Sequence, residues 1–264
     1  MSVNISAAKR IVIKVGSSTL TGKAGANLDP SAIDKLVDVV AKLKSEGKEV
    51  AVVSSGAIAA GLAPLGLNSR PTDLTSQQAA ASVGQGLLMA RYTQSFNRFK
   101  ITTSQVLITL DDITKAKHVE NIKEVLLSLL KLNVVPIINE NDSVGTQEIR
   151  FGDNDRLAAL VAVLLDADAL ILLSDVDGLY DKPPSQADAQ RLGRIEFGQD
   201  LSSIEIGGVG TGVGTGGAVT KVTAARVATE SGISVLLTDT DSVQQALAGE
   251  QLGTWFQAKN PSED

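Results

Sequence analysis

Apolar residues along this chain come in two spacings. Short runs rich in Val, Ile and Leu end at Gly, Ser, Asn or Asp, and longer stretches between them repeat apolar positions every three or four residues. The first spacing predicts strands and the second predicts helices. Residues 10–15 form the first strand and stop at Gly16. Asp29 then supplies an N-cap with Pro30 at the first helical position, and Ile33, Leu36, Val37, Val40 and Leu43 carry the helix toward Gly47. Strand 49–53 ends at Ser54-Ser55-Gly56 and enters a short helix at residues 57–60. A bend containing Pro64, Gly66 and Pro71 leads into a long helix over 74–99.

The alternation continues to the end. Strand 103–108, helix 119–132 and strand 134–138 are followed by Asn139-Glu140-Asn141-Asp142 and a hairpin-like segment through Ile149. Gly152-Asp153-Asn154-Asp155 opens helix 156–165, and strand 169–173 closes on Ser174-Asp175-Val176-Asp177-Gly178. The 180s, with Pro183-Pro184, read as an exposed excursion. Helix 220–230, strand 235–237, a short helix at 243–248 and an edge strand at 253–256 complete the chain.

Repeated βα units with nearly continuous apolar strands predict an α/β fold. It is a three-layer αβα sandwich, with helices on both faces of a mainly parallel central sheet. No internal repeat or linker divides the chain, so a single domain over 1–257 with a disordered tail over 258–264 is expected. The long helix carries Ala79-Ala80-Ala81-Ser82-Val83-Gly84-Gln85-Gly86 at its centre. Each internal glycine there costs about 1 kcal/mol relative to alanine. So many small residues predict close approach by another helix, in the chain or in a second subunit, with a subunit interface as the expectation.

Composition narrows the function classes. The 264 residues carry a net charge of −6, no cysteine and a single histidine, His118. Disulfides and thiolate metal sites are excluded, and a histidine-based zinc site is not expected. The acidic balance argues against nucleic-acid and membrane partners. The first ten residues lack the apolar core of a signal peptide, and Asp166 and Asp168 interrupt the most apolar run, 157–173. A cytoplasmic protein is the expectation.

Open parallel sheets bind ligands beyond the carboxyl ends of their strands. Lys14 with Gly16-Ser17-Ser18, Ser54-Ser55-Gly56, Asn139 to Asp142, and Ser174-Asp175 all follow strands and so share one rim. The glycine loop 207–217, with seven glycines in eleven residues, joins them and leads to Thr220-Lys221. Glycine lets backbone N–H groups approach an anion closely, and the following helix N-terminus favours negative charge. Lys221 adds a full positive charge in that helix's first turn, where the dipole disfavours it. The loop indicates phosphate. It is not a P-loop, because Val222 follows the lysine, and it lies too late in the chain for a dinucleotide fingerprint. Taken singly, Lys14 also reads as a snorkelling lysine, and the Ser, Asn and Asp clusters as caps and turns.

Taken together these segments resemble the amino acid kinase family over roughly residues 9–256. The resemblance is carried by Ile13 to Ser18, Val53 to Gly61, Ile138 to Val144, Phe151 to Asp155, Leu173 to Tyr180 and Gly214 to Lys221. Ser54-Ser55-Gly56-Ala57-Ile58-Ala59-Ala60-Gly61 and Asn139-Glu140-Asn141-Asp142-Ser143-Val144 point to the branch acting on L-glutamate. The resemblance implies the amino acid kinase fold and ATP-dependent phosphorylation of the glutamate side-chain carboxylate, with Mg2+ carried mainly by phosphate oxygens and water. It implies Lys14 and Lys221 as the catalytic cations, with Asp155 organising both. Ser55, Gly56, Ala57, Asn139, Asp142 and Asn154 would hold glutamate. Lys14, Ser174, Asp175, Thr215, Gly216, Gly217, Ala218, Val219, Thr220 and Lys221 would line the nucleotide, and no side chain is assigned to a metal.

It further implies a homo-oligomer, dimer or tetramer, and feedback inhibition by L-proline. His118-Val119-Glu120 and Gln77-Gln78 depart from the family pattern outside the expected chemistry, where a change would bear on subunit packing or effector response. Many relatives carry a C-terminal module of RNA-binding type, and from its length this chain is expected to be without one. Two other readings stay open: a family member acting on acetylglutamate, aspartate, carbamate or UMP, and a non-catalytic sensor.

Overall fold

In the computed structural model, residues 7–21, 27–145, 154–201 and 217–260 are described. The elements run β1 (Arg10–Val15), α1 (Ser17–Leu20), α2 (Pro30–Ser45), β2 (Glu49–Ser54), α3 (Ala57–Leu62), α4 (Leu74–Asn97), β3 (Thr103–Ile108), α5 (Leu110–Thr114), α6 (Ala116–Lys131), β4 (Val135–Glu140), α7 (Asn154–Leu164), β5 (Ala169–Ser174), β6 (Leu179–Tyr180), β7 (Arg191–Leu192), β8 (Arg194–Ile195), α8 (Ala218–Glu230), β9 (Ser234–Asp239), α9 (Val243–Leu247) and β10 (Thr254–Phe256).

Eight strands form one sheet in the order β3-β4-β2-β1-β5-β9-β10-β8. The six long strands are all parallel, and β10 turns antiparallel against β9. The period-two alternation of a strand assigns its side chains to two cores. Val12, Val53, Leu170, Leu172 and Leu237 pack toward α6, α7 and α8. Ile11, Ile13, Val15, Val52, Ile171 and Leu173 pack toward α2, α4 and α9. This is the mainly parallel three-layer αβα sandwich expected from the sequence. Lys14 shares the parity of Val12, so its side chain leaves β1 on the α7 side.

Several helix starts follow their local chemistry. Asp29 accepts the Ser31 N–H at 2.8 Å ahead of Pro30, and Asp73 accepts the Ser76 N–H at 2.8 Å. Helix α5 was not expected, yet Thr109 and Asp112 form a reciprocal capping box at its start. The excursion of the 180s is pinned at its base by the β6–β7 hairpin.

Two expectations are corrected. Strand β10 is not at the edge: β8 pairs with its far side. The edge reading failed because two-residue β8 is too short to register as a strand in sequence. The buried small residues of α4, Ala80, Ala81 and Gly84, pack on α3 of the same chain rather than on a second subunit. A Cβ on Gly84 would lie 1.8 Å from the Ala57 carbonyl oxygen, and one on Gly61 would lie 1.9 Å from that of Ala80. The two helices meet backbone to backbone.

Beyond β10, the Lys259 N–H donates to the Thr229 carbonyl at 2.9 Å, which brings the chain back to α8. The hairpin-like segment at 146–149 and the tail at 261–264 lie outside the described residues.

Packing at α3–α4 gives a paired expectation. Gly84→Ala should cost about 3 kcal/mol, since neither opposing backbone atom can yield. Gly86→Ala, where a Cβ meets nothing within 4 Å, should gain about 1 kcal/mol of helix propensity. Urea unfolding midpoints check both. A tolerated Gly84→Ala that only dissociates subunits would return the stripe to an intersubunit role.

Candidate functional site

The carboxyl ends of β1, β2, β4 and β5 lie side by side, because these strands are parallel and consecutive in the sheet order. The polar residues that follow them therefore gather on one rim. Helix α7 starts against this rim with Asn154 and Asp155, and α8 enters it with Thr220 and Lys221.

Asp155 is the centre of the site. It is 0% exposed, with Lys14 at 2% and Lys221 at 8%. Lys14 Nζ pairs with Asp155 Oδ1 and Lys221 Nζ lies 3.3 Å from Oδ2. The Thr220 hydroxyl also donates to Oδ2 at 2.9 Å, with its own oxygen 2.8 Å from the Gly217 carbonyl. A buried carboxylate requires compensating charge and hydrogen bonds, and these three groups supply them. The two lysines and the aspartate together sum to one positive charge, which suits an anionic ligand.

Beside it, Asn154 fans its amide across two strand ends. Asn154 Nδ2 donates to Ser55 Oγ at 2.8 Å, to Asn139 Oδ1 at 2.8 Å and to the Ser54 carbonyl at 3.2 Å. The Asn139 carbonyl oxygen also accepts the Glu140 N–H at 2.9 Å. Gly56 takes φ of 107°, a left-handed conformation that β-carbon-bearing residues rarely adopt, and swings the chain from β2 into α3 at Ala57. Gly56 and Ala57 are buried, Ser55 is partly buried, and Asp142 lies half-buried in the turn after β4.

Ser174 is buried at the end of β5, where its hydroxyl donates to Asp175 Oδ1 at 3.1 Å, and Asp175 itself is exposed. These two share the rim with the lysine pair. Gly217 caps α8, followed by Ala218 and the exposed Val219. Thr215 and Gly216, with the rest of the glycine loop from 207, lie outside the described residues, as do Phe151, Gly152 and Asp153.

Among the described residues, no group of three or more His, Asp or Glu could hold a metal. Both Asp155 oxygens face lysines. The donor set therefore suits a cation carried by a ligand's phosphates, rather than one caged by the protein.

Two participants were not anticipated. Thr220 is expected from sequence to line the phosphates, and its hydroxyl lies on Asp155; its position three residues after the cap Gly217 gives no hint of that. Gln85 on α4 accepts from Asn139 Nδ2 at 2.9 Å. A polar side chain between two glycines in an alanine-rich helix was the available signal. At the departures from the family pattern, Gln77 donates to the Pro71 carbonyl at 2.8 Å, and His118 Nδ1 is 3.2 Å from Asp112.

Residues 9–239 match the model of the amino acid kinase family. The chain is 55% identical to a glutamate 5-kinase of Clavibacter michiganensis subsp. michiganensis, covering 96% of this chain and 95% of that one. It is 58% identical to a glutamate 5-kinase of Streptomyces coelicolor, covering 95% of this chain and 67% of that one. Among solved structures, the carbamate kinase of Giardia lamblia bound to AMP-PNP superposes with a TM-score of 0.69 at 19% identity, over 96% of this chain and all of that one. The UMP kinase of Bacillus anthracis gives 0.63 at 14% identity, over 96% and 97%. At those identities the structures speak for the fold alone, while the sequence relatives speak for the branch. The chain belongs to the amino acid kinase family and, within it, to the glutamate 5-kinases.

Proposed function

We infer that the chain transfers the γ-phosphoryl group of ATP to the side-chain carboxylate of L-glutamate. The product is L-glutamyl 5-phosphate, and the step is the first of proline biosynthesis. The observation that carries this reading is two lysine ammonium groups on one buried aspartate, with a cluster of hydrogen-bonded amides beginning at the adjacent residue, Asn154. The relatives named above support the choice of acceptor.

A glutamate side chain has a pKa of about 4.3 and is already ionised at neutral pH, so the nucleophile needs no general base. One carboxylate oxygen attacks the γ-phosphorus, the bond from that phosphorus to the bridging oxygen breaks, and ADP leaves with the electron pair. No proton moves. The obstacle is repulsion between two anions, and the remedy is positioning with charge stabilisation. Lys14 and Lys221 act on the transferring phosphoryl group, while Asp155 keeps two adjacent cations tolerable and aimed together.

Ser55, Gly56, Ala57, Asn139 and Asn154 hold glutamate, and Asp142 takes its α-ammonium group. Ser174 and Asp175 face the nucleotide, whose phosphates lie along residues 215–221. Magnesium bound to those phosphates would neutralise part of the triphosphate charge, as suits an ion that dehydrates reluctantly. The reading extends to a single catalytic domain over 1–257 working in the cytoplasm. Among the described residues, no helix is long and apolar enough to cross a membrane. It also extends to a homo-oligomer, dimer or tetramer, for which the exposed Val83 and Leu87 of α4 and Val125 and Leu132 near α6 offer apolar area.

An acceptor panel with ATP and magnesium should release ADP with L-glutamate, and not with acetylglutamate, aspartate, carbamate or UMP. Turnover on one of those instead would overturn the acceptor. Lys221→Met should lower kcat by about a hundredfold or more, the loss typical for one charge-stabilising donor, while calorimetric glutamate affinity is largely kept. Persistent turnover would remove Lys221 from the chemistry. Asp155→Asn leaves two buried cations without their carboxylate and should cost about 3–5 kcal/mol of stability as well as activity. Thermal and urea unfolding read that cost, and wild-type stability would contradict the bridge. L-Proline should raise the apparent KM for glutamate in titrations at several proline concentrations; an unmoved KM would dismiss a shared site.

A further inference from the structure

Helix α4 places three polar side chains at seven-residue spacing, Gln78, Gln85 and Tyr92, and each bonds to a segment around the acceptor pocket. Gln78 Nε2 donates to the Gly145 carbonyl at 2.9 Å, Gln85 Oε1 accepts from Asn139 Nδ2 at 2.9 Å, and the Tyr92 hydroxyl lies 2.8 Å from Ser54 Oγ. Seven residues advance a helix by about 10.5 Å, nearly two turns. One helix face thus reaches the turn after β4, the end of β4 and the end of β2. It reaches them because Gly84 lets α4 lie against the Ala57 carbonyl.

Gln85, 8% exposed, has the most consequential position. Its oxygen accepts from Asn139, and its Nε2 donates to Gln105 Oε1 at 3.3 Å. An amide that accepts on one side and donates on the other has one favourable orientation, since reversing it opposes N–H to N–H. The Asn139 amide is held from both sides: the Glu140 N–H, which can only donate, and Asn154 Nδ2 hold its oxygen, and Gln85 Oε1 accepts its N–H. Asn154 then gives its hydrogens to Asn139 Oδ1 and Ser55 Oγ. The Ser55 hydroxyl, already accepting, keeps its own hydrogen for an oxygen of the ligand.

We propose that Gln85 is a positioning residue for the acceptor. By accepting the Asn139 N–H it holds in place a hydrogen-bond chain that runs through Asn139 and Asn154 and ends in a hydroxyl donor at Ser55, ready for a substrate carboxylate. The inference rests on the function proposed above, and it adds a specificity determinant that touches neither substrate nor nucleotide.

Steady-state kinetics on the full chain test it, with glutamate and ATP varied separately. Gln85→Met keeps the length of the side chain but leaves the Asn139 N–H without its acceptor. The KM for glutamate should rise about tenfold or more, while the KM for ATP moves by less than about twofold. Gln85→Glu restores an acceptor opposite Asn139 and should recover most of the loss. A merely structural role predicts a different result: both KM values shifting together with a lowered Tm, or Gln85→Glu as impaired as Gln85→Met. Either of those, or an unchanged glutamate KM, overturns the proposal. If the wild-type enzyme turned over a different acceptor, the acceptor assignment would have failed, and the same split would be read on that acceptor.

Discussion

The site depends on one carboxylate that holds two ammonium groups together in a place closed to water. Two unit positive charges about 4 Å apart repel by ~4 kcal/mol at an effective dielectric constant of 20. Asp155, fully buried between Lys14 and Lys221, turns that repulsion into a shared attraction. The arrangement ties the fold to the chemistry. It requires the end of β1, the start of α7 and the start of α8 to meet, although Asp155 and Lys221 are 66 positions apart in sequence. Parallel strand order and helices on the correct face of the sheet are what bring them together.

A second constraint is the backbone contact of α3 with α4. Close approach there has two effects. It buries the start of α3 behind the Ser55-Gly56-Ala57 turn, and it sets the polar face of α4 within reach of β2 and β4. The glycines that weaken α4 as an isolated helix are what allow its side chains to order the pocket. Stability contributed by packing therefore offsets the propensity lost at Gly84.

Much of this was legible in the sequence, for physical reasons that differ by element. Strand β1 and helix α2 could be read because their apolar spacing, the Asp29-Pro30 start and their glycine stops agree with one another. The common rim followed from parallel strands alone, which is why Lys14, Ser55, Asn139 and Ser174 could be grouped before any distance was known. The partner of the α4 small residues could not be read, since spacing says that a backbone comes close but not whose. The interior place of β10 depended on β8, a strand too short to carry a period. Gln85 and Thr220 acquire their roles from hydrogen bonds to Asn139 and Asp155, partners 54 and 65 positions away. Local pattern holds no record of such partners.

The most direct test of the central claim is a crystal structure with a non-hydrolysable ATP analogue, magnesium and L-glutamate. The account predicts that Lys14 Nζ and Lys221 Nζ both lie within hydrogen-bonding distance of the γ-phosphoryl oxygens, with Asp155 still between them and the glutamate side chain in line for attack. Lysine ammonium groups directed into separate clefts, or an Asp155 carboxylate turned onto the metal, would contradict it.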